Sequence, residues 1–204
     1  ENAKNIAEKE ITLTLLNNIE DKKKITQKTI ATELGIAVGL VNVYVKRCIK
    51  KGWLKVTNIP PRRYAYYLTS KGFNEKSRLV AQYFKDSFNF FRKSKQEFHD
   101  IFHLCIKKKF KNVAIAGNGE LVDMSVIVAK GNDFKLSCIF SKDIKSKKIL
   151  DVPVTDSYKK LVDMDAVIIA DYDKPQEILE ELKSNFPKMN FLFPPILSIR
   201  IDKK

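Results

Sequence analysis

Three groups of residues in this chain have the types and spacing to do chemistry. The first is Gly117-Asn118-Gly119-Glu120, directly after the apolar run Val113-Ala114-Ile115-Ala116. Two glycines one residue apart, between a strand and a helix, permit a tight turn and the approach of a phosphate to the helix N-terminus. A dinucleotide fingerprint needs a third glycine where Val122 stands, and Glu120 puts a negative charge beside the phosphate position. Asp143 follows the next apolar run at a place where an acidic residue can meet a ribose hydroxyl. Asp171 and Asp173 follow Ala166-Val167-Ile168-Ile169-Ala170, at the strand edge where open sheets bind ligands. Gly117, Asn118, Gly119, Asp143 and Asp171 are therefore the candidate ligand-binding residues. A nucleotide or nucleotide-sugar effector is the first candidate ligand. A plain strand-to-helix turn with no ligand accounts for the same glycines.

The second group is basic and lies in the other half of the chain. Gly39, Asn42, Val43, Lys46 and Lys50 recur at helical spacing on one face. Asn42 can pair bidentately with adenine, and Lys46 can reach a guanine edge or a phosphate. Arg62 and Arg63 follow Pro60-Pro61, on a stiffened tip suited to a minor groove or its phosphates. Lys22, Lys23 and Lys24 are placed to touch a flanking backbone. The third group is His99 and His103, four apart on a helix, a spacing that can hold a metal. No cysteine or carboxylate cluster completes that site, so ordinary surface or interface histidines are expected there. No nucleophile elbow, P-loop or metal cluster is present, and the C-terminal half has no histidine. The chain is therefore not expected to be an enzyme.

Charge separates the two halves. The net charge is +14 over 204 residues. Residues 1–110 hold 23 Lys and Arg against 10 Asp and Glu, so +13 of it lies there. A phosphate contact is expected in that half. With 44% hydrophobic and 10% aromatic residues the chain can build packed cores, which excludes global disorder. Cys48, Cys105 and Cys138 are few and widely spaced, as in reduced thiols of a cytosolic protein. No apolar run reaches the ~20 residues of a membrane span, and no secretory signal is visible. The expected location is the cytoplasm, with no membrane partner.

The elements that must position these residues can be read from periodicity. Helices are expected over 5–20, 26–34 and 38–51. Thr26 is the N-cap of the second, Gly35 ends it, and Leu40, Val41, Val45, Cys48 and Ile49 form the apolar stripe of the third. Strands 53–57 and 64–68 flank the proline tip. A helical stretch without proline then runs to about Lys109. At ~1.5 Å per residue it would span about 50 Å, and its aromatic stripe predicts a homodimer. From Lys111 on, strands 113–116, 136–140, 166–170 and 189–193 alternate with helices 120–130, 158–162 and 175–186. That alternation predicts a small parallel sheet with covered faces.

Helix, helix, glycine turn, helix and two-stranded wing is the order of a winged helix-turn-helix. The run Thr26–Ile36 followed by Val38–Gly52 resembles the helix-turn-helix of MarR-type regulators. Leu68-Thr69-Ser70-Lys71-Gly72 is similar to the segment that follows the wing in that group. Ala37, Val38 and Gly39 stand where the family often has Ser or Thr, so the third helix lacks a side-chain cap for phosphate. The C-terminal part looks like the small Rossmann-like units of nucleotide-sugar enzymes, redox-sensing repressors and CoA-binding proteins. The combination resembles regulators associated with polysaccharide biosynthesis.

The expected organisation is an α+β winged helix-turn-helix domain over 1–72, a long dimerisation or linker helix over 73–110, and an α/β Rossmann-like ligand-sensing domain over 111–204. The expected function is a dimeric transcription regulator that binds double-stranded DNA. The alternative is a nucleotide-sugar enzyme or accessory subunit that uses the winged helix for docking.

Overall fold

A computed structural model describes residues 2–21, 26–59, 63–143 and 146–200. The chain divides into two units, Glu1–Ser87 and Phe88–Lys204.

The first unit holds α1 (Asn2–Asp21), α2 (Gln27–Leu34), α3 (Val38–Lys50), β1 (Leu54–Ile59), β2 (Arg63–Leu68) and the first turns of α4 (Ser70–Lys107). Thr26 caps α2 by accepting a hydrogen bond from the Thr29 N–H at 3.1 Å. Gly35, left-handed at φ 63°, ends the helix. α2 and α3 then meet at 111°, within the range of a helix-turn-helix. The stripe of α3 that enters the core is Val41, Tyr44, Val45 and Cys48, which pack with Leu15, Leu16, Ile19, Ile30, Leu54 and Leu79. The expected stripe is corrected at Leu40, which is 41% exposed. At 100° per residue Val41, Tyr44, Val45 and Cys48 share a face that Leu40 misses, and Tyr44 fills it instead.

β1 and β2 pair antiparallel from Leu54 opposite Leu68 to Ile59 opposite Arg63. Thr69 joins this hairpin to α4. Its hydroxyl faces the carbonyls of Gly52 at 2.7 Å and Trp53 at 3.1 Å. Its Oγ1 also accepts from the Gly72 N–H at 3.0 Å. A Cβ on Gly72 would lie 2.0 Å from the Trp53 carbonyl oxygen. The spacing Leu68-Thr69-Ser70-Lys71-Gly72 is thus a joint. Threonine caps α4, and glycine lets the helix touch the strand backbone.

The second unit is an α/β sandwich. It is built from the rest of α4, β3 (Val113–Ala116), α5 (Glu120–Gly131), β4 (Cys138–Phe140), β5 (Lys148–Ile149), β6 (Val152–Thr155), β7 (Ala166–Ile169), α6 (Pro175–Asn185) and β8 (Asn190–Leu192). Short 3-10 turns cover Tyr158–Leu161 and Pro195–Leu197. The sheet order is β5-β6-β4-β3-β7-β8. β6, β4, β3, β7 and β8 run parallel, and β5 pairs antiparallel with β6. Taken in chain order, the parallel strands stand third, second, first, fourth, fifth, the order of a doubly wound sheet.

Alternate residues of β3 serve opposite faces. Val113 and Ile115 pack on Phe98, Phe102 and Cys105 of α4 and Leu121 of α5. Ala114 and Ala116 pack on the other side with Leu161 and with Leu179 and Leu182 of α6. The last turns of the stretch expected as a linker are therefore core of this unit.

The strands β5 and β6 are a correction to the expected element order, which had only the helix 158–162 and no strand between 136–140 and 166–170. The turn joining them is Leu150-Asp151, at φ 45° and 75°. Both values belong to the mirror-image turns of tight hairpins, where Asn-Gly is the usual signal. Leu-Asp carries no such signal, and Pro153 sits in the strand itself.

Candidate functional site

The helix-turn-helix presents one face of α3 outward. Gly39, Val43, Lys46 and Lys50 are exposed and Asn42 is half-buried at the edge of the same face. Opposite them Val41, Tyr44, Val45 and Cys48 are buried, so packing holds the face fixed. Neither Lys46 nor Lys50 makes an ion pair among the described residues. α3 contains no acidic residue. Ala37 starts the helix without a side-chain cap, as its residue type implies, which leaves backbone N–H groups to meet an anion.

Arg47 is exposed but engaged elsewhere. Its guanidinium donates to Glu8 Oε2 at 3.0 Å and lies 5.4 Å from the Tyr44 ring centre, tying α3 to α1. Lys51 is likewise held over the Trp53 ring at 4.3 Å. Gln27 fixes α2 to the wing by donating to the Tyr66 hydroxyl at 2.8 Å.

Of the wing and flanking residues, Lys22, Lys23, Lys24 and Arg62 lie outside the described residues. Arg63 is described only as the backbone partner of Ile59. Two features of this interface escaped the sequence reading. Val38 and Leu40 join Val43 on the exposed surface of α3, and Tyr64 and Tyr67 are exposed on the wing. Alternation between faces does not predict this pair, because Tyr64 and Tyr67 are three apart and Tyr67 has the parity of buried Ala65.

The second unit has a cleft of about 260 Å³ at the carboxyl ends of β3, β4 and β7. This is the crevice where the strand order reverses. Gly117, Asn118, Asp143 and Asp171 line it, together with Asp173. Gly117 is required there, because a Cβ at its φ of 148° would lie 2.3 Å from the Ala170 carbonyl oxygen. Its own N–H donates to the Phe140 carbonyl at 3.1 Å.

Asp171 is 6% exposed. Its Oδ1 accepts from the backbone N–H groups of Asp173 at 2.9 Å and Lys174 at 2.8 Å, which shapes the turn into α6. Both lysines of the cleft are partnered. Lys142 donates to Glu181 Oε1 at 2.7 Å, beside the hydroxyl of Tyr158. Lys174 stands 4.0 Å from Glu177. The hydrogen bonds from Lys142 and Tyr158 hold the Glu181 carboxyl below its usual value.

Gly119 is outside the cleft wall. A Cβ there would meet the Tyr172 ring at 3.5 Å, and the Tyr172 hydroxyl donates to Glu120 Oε2 at 3.1 Å. A phenol and a carboxylate thus stand at the N-terminus of α5. The rings of His99 and His103 lie 4.4 Å apart between centres, tilted by 51°. Among the described residues no group of three or more His, Cys, Asp or Glu could hold a metal. Among the same residues no single helix is long and apolar enough to cross a membrane.

A family model described as winged helix-turn-helix DNA-binding matches residues 8–55. The match runs from α1 through the helix-turn-helix to the start of β1. The N-terminal part of the chain is therefore a winged helix-turn-helix DNA-binding domain. A search of curated proteins finds no match.

Proposed function

We propose that the chain is a cytoplasmic transcription regulator of the MarR-like type. It binds duplex DNA as a homodimer, and its Rossmann-like unit senses a small molecule rather than catalysing a reaction. The observation that carries the DNA reading is α3. Its inner face is locked in the core while Lys46 and Lys50 project from the other face with no ion-pair partner among the described residues. The Leu68–Gly72 joint supports the MarR-like assignment.

Fluorescence anisotropy of the full chain on labelled duplex DNA, repeated over a salt series, tests the reading. Affinity should fall linearly on a log–log plot as salt rises, and Lys50→Ala should reduce the slope by about 1. Binding that is absent at all salt concentrations overturns it.

The dimer is supported by Tyr83, Phe84, Phe88, Phe90 and Phe91 of α4, which are 43–62% exposed over little more than two turns. A second copy of the same helix would cover such a face and set two recognition helices on successive major grooves. Sedimentation as a monomer at micromolar concentration counts against it.

Sensing is supported by the cleft at the strand-order reversal, lined by Gly117, Asn118, Asp143 and Asp171. The resemblance to polysaccharide-linked regulators makes nucleotide-sugars the first effectors to test. A thermal-shift screen of nucleotides and nucleotide-sugars should raise the melting temperature for at least one of them. No shift with any removes the sensing role.

A further inference from the structure

We propose that α3 selects its DNA sequence chiefly through the C5 methyl groups of thymine. Val43 stands at the centre of the contact, Leu40 one turn before it on the same side and Val38 at the start of the helix, and an A·T-rich half-site is the target. This rests on the DNA-binding reading and adds what that reading leaves open, the chemistry of base choice.

In a helix-turn-helix the N-terminal turns of the recognition helix reach the base edges. Here those turns are apolar. Val38 is 45% exposed, Leu40 41% and Val43 53%. The only side chain in this half able to hydrogen-bond a base is Asn42, and it is half-buried. The donors come later: Lys46 and Lys50 lie one and two turns beyond Asn42, and Arg47 is held by Glu8. Among the groups displayed in the major groove, the thymine methyl is the one that an apolar side chain can complement.

The surrounding residues say that the occupant is DNA rather than an apolar protein surface. The apolar patch continues into two lysines that pair with nothing among the described residues, and α3 carries no acidic side chain. A polyanion whose groove floor bears methyl groups complements both ends of the helix. Gly39 adds clearance. It sits one turn before Val43, and a Cβ there would meet nothing within 4 Å. The space outside it is open, so the groove floor can come close to Val43.

The test begins by selecting sites from a random duplex library with the full chain. Anisotropy then compares each selected duplex with one in which deoxyuridine replaces thymidine, which removes only the methyl. The wild type should lose about fourfold in affinity per contacted methyl. Val43→Ser should bind the thymidine and deoxyuridine forms of its contacted position equally. Gly39→Ala, which meets nothing in the fold, should weaken binding to the selected site.

Selected sites rich in G·C, or equal affinity for thymidine and deoxyuridine duplexes in the wild type, overturn the proposal while leaving DNA binding intact. Retention by Val43→Ser and by Leu40→Ser of the full thymidine preference overturns it as well. No salt-sensitive binding to any duplex removes the DNA reading and this proposal together, and assigns the face to a protein partner.

Discussion

At Gly72 one hydrogen atom separates a closed joint from a clash. The Trp53 carbonyl occupies the space a side chain would need, and both partners are backbone, so neither can turn away. Gly72→Ala should destabilise the first unit by about 2–4 kcal/mol, read as a lower urea midpoint.

Ser94 is the opposite case. It is fully buried in α4, and its Oγ has no hydrogen-bond partner among the described residues. Ser94→Ala removes an unpaired polar atom and should stabilise by about 1 kcal/mol, checked in the same denaturation series.

Asp165 supplies a pH dependence. Its Oδ2 accepts from the backbone N–H groups of Lys111 at 2.7 Å and Asn112 at 2.9 Å. The hydrogen bond from Asn112 first, then that from Lys111, holds its carboxyl below the usual carboxylate value. The folded pKa therefore lies below the unfolded one. The stabilisation is fully present above the unfolded value, about 3.9, and is lost as pH falls through the folded value. Asp165→Asn should flatten the acid limb of the stability curve and leave its slope near neutrality unchanged.

At this scale the sequence was legible where one residue has one local job. Thr26 and Gly35 read correctly as the two ends of α2 because a cap and a left-handed residue are local needs. Gly72 could be recognised only by resemblance, since its partner Trp53 is distant in the chain.

Among the elements, helices and central strands were legible because their periods are strong. β3 and β7 are continuous apolar runs, buried on both faces. The hairpin β5–β6 was not legible, because its turn holds two left-handed residues, neither of them Gly or Asn. Replacing Leu150 with Asn and Asp151 with Gly should relieve that backbone and stabilise by about 1–2 kcal/mol. The Lys130 pair lost with Asp151 is exposed and contributes little. A rise in the thermal midpoint of the double variant is the check. On α3, Leu40 read as core because apolar type was given more weight than angle. Its exposure turned out to extend the outward face instead of breaking it. The cleft of the second unit was half legible. Gly117, Asn118, Asp143 and Asp171 converge on it because strand ends do, whereas Gly119 is exposed outside it, beside Tyr172 from a distant loop.

In the molecule as a whole, charge and fold tell one story. The basic half contains the DNA-binding domain, and the near-neutral half contains the doubly wound sheet. The long aromatic helix read as a connector of 73–110, yet both units draw on it. Leu79 is core of the first, and Phe98, Phe102 and Cys105 are core of the second.

Between those anchors lies a stretch with its own behaviour. From Ala81 to Lys93 every side chain but Gln82 is exposed. None of these residues belongs to a hydrophobic core, and an isolated helix of that length is marginal in water. Backbone amides there should exchange with deuterium far sooner than those around Phe98–Cys105. Chymotrypsin, which cuts beside Phe and Tyr, should nick the chain there first. Raising the protein concentration should slow both the exchange and the cut if a second helix covers the aromatics. The middle of α4 is thus a built-in reporter of assembly, readable by mass spectrometry without any label.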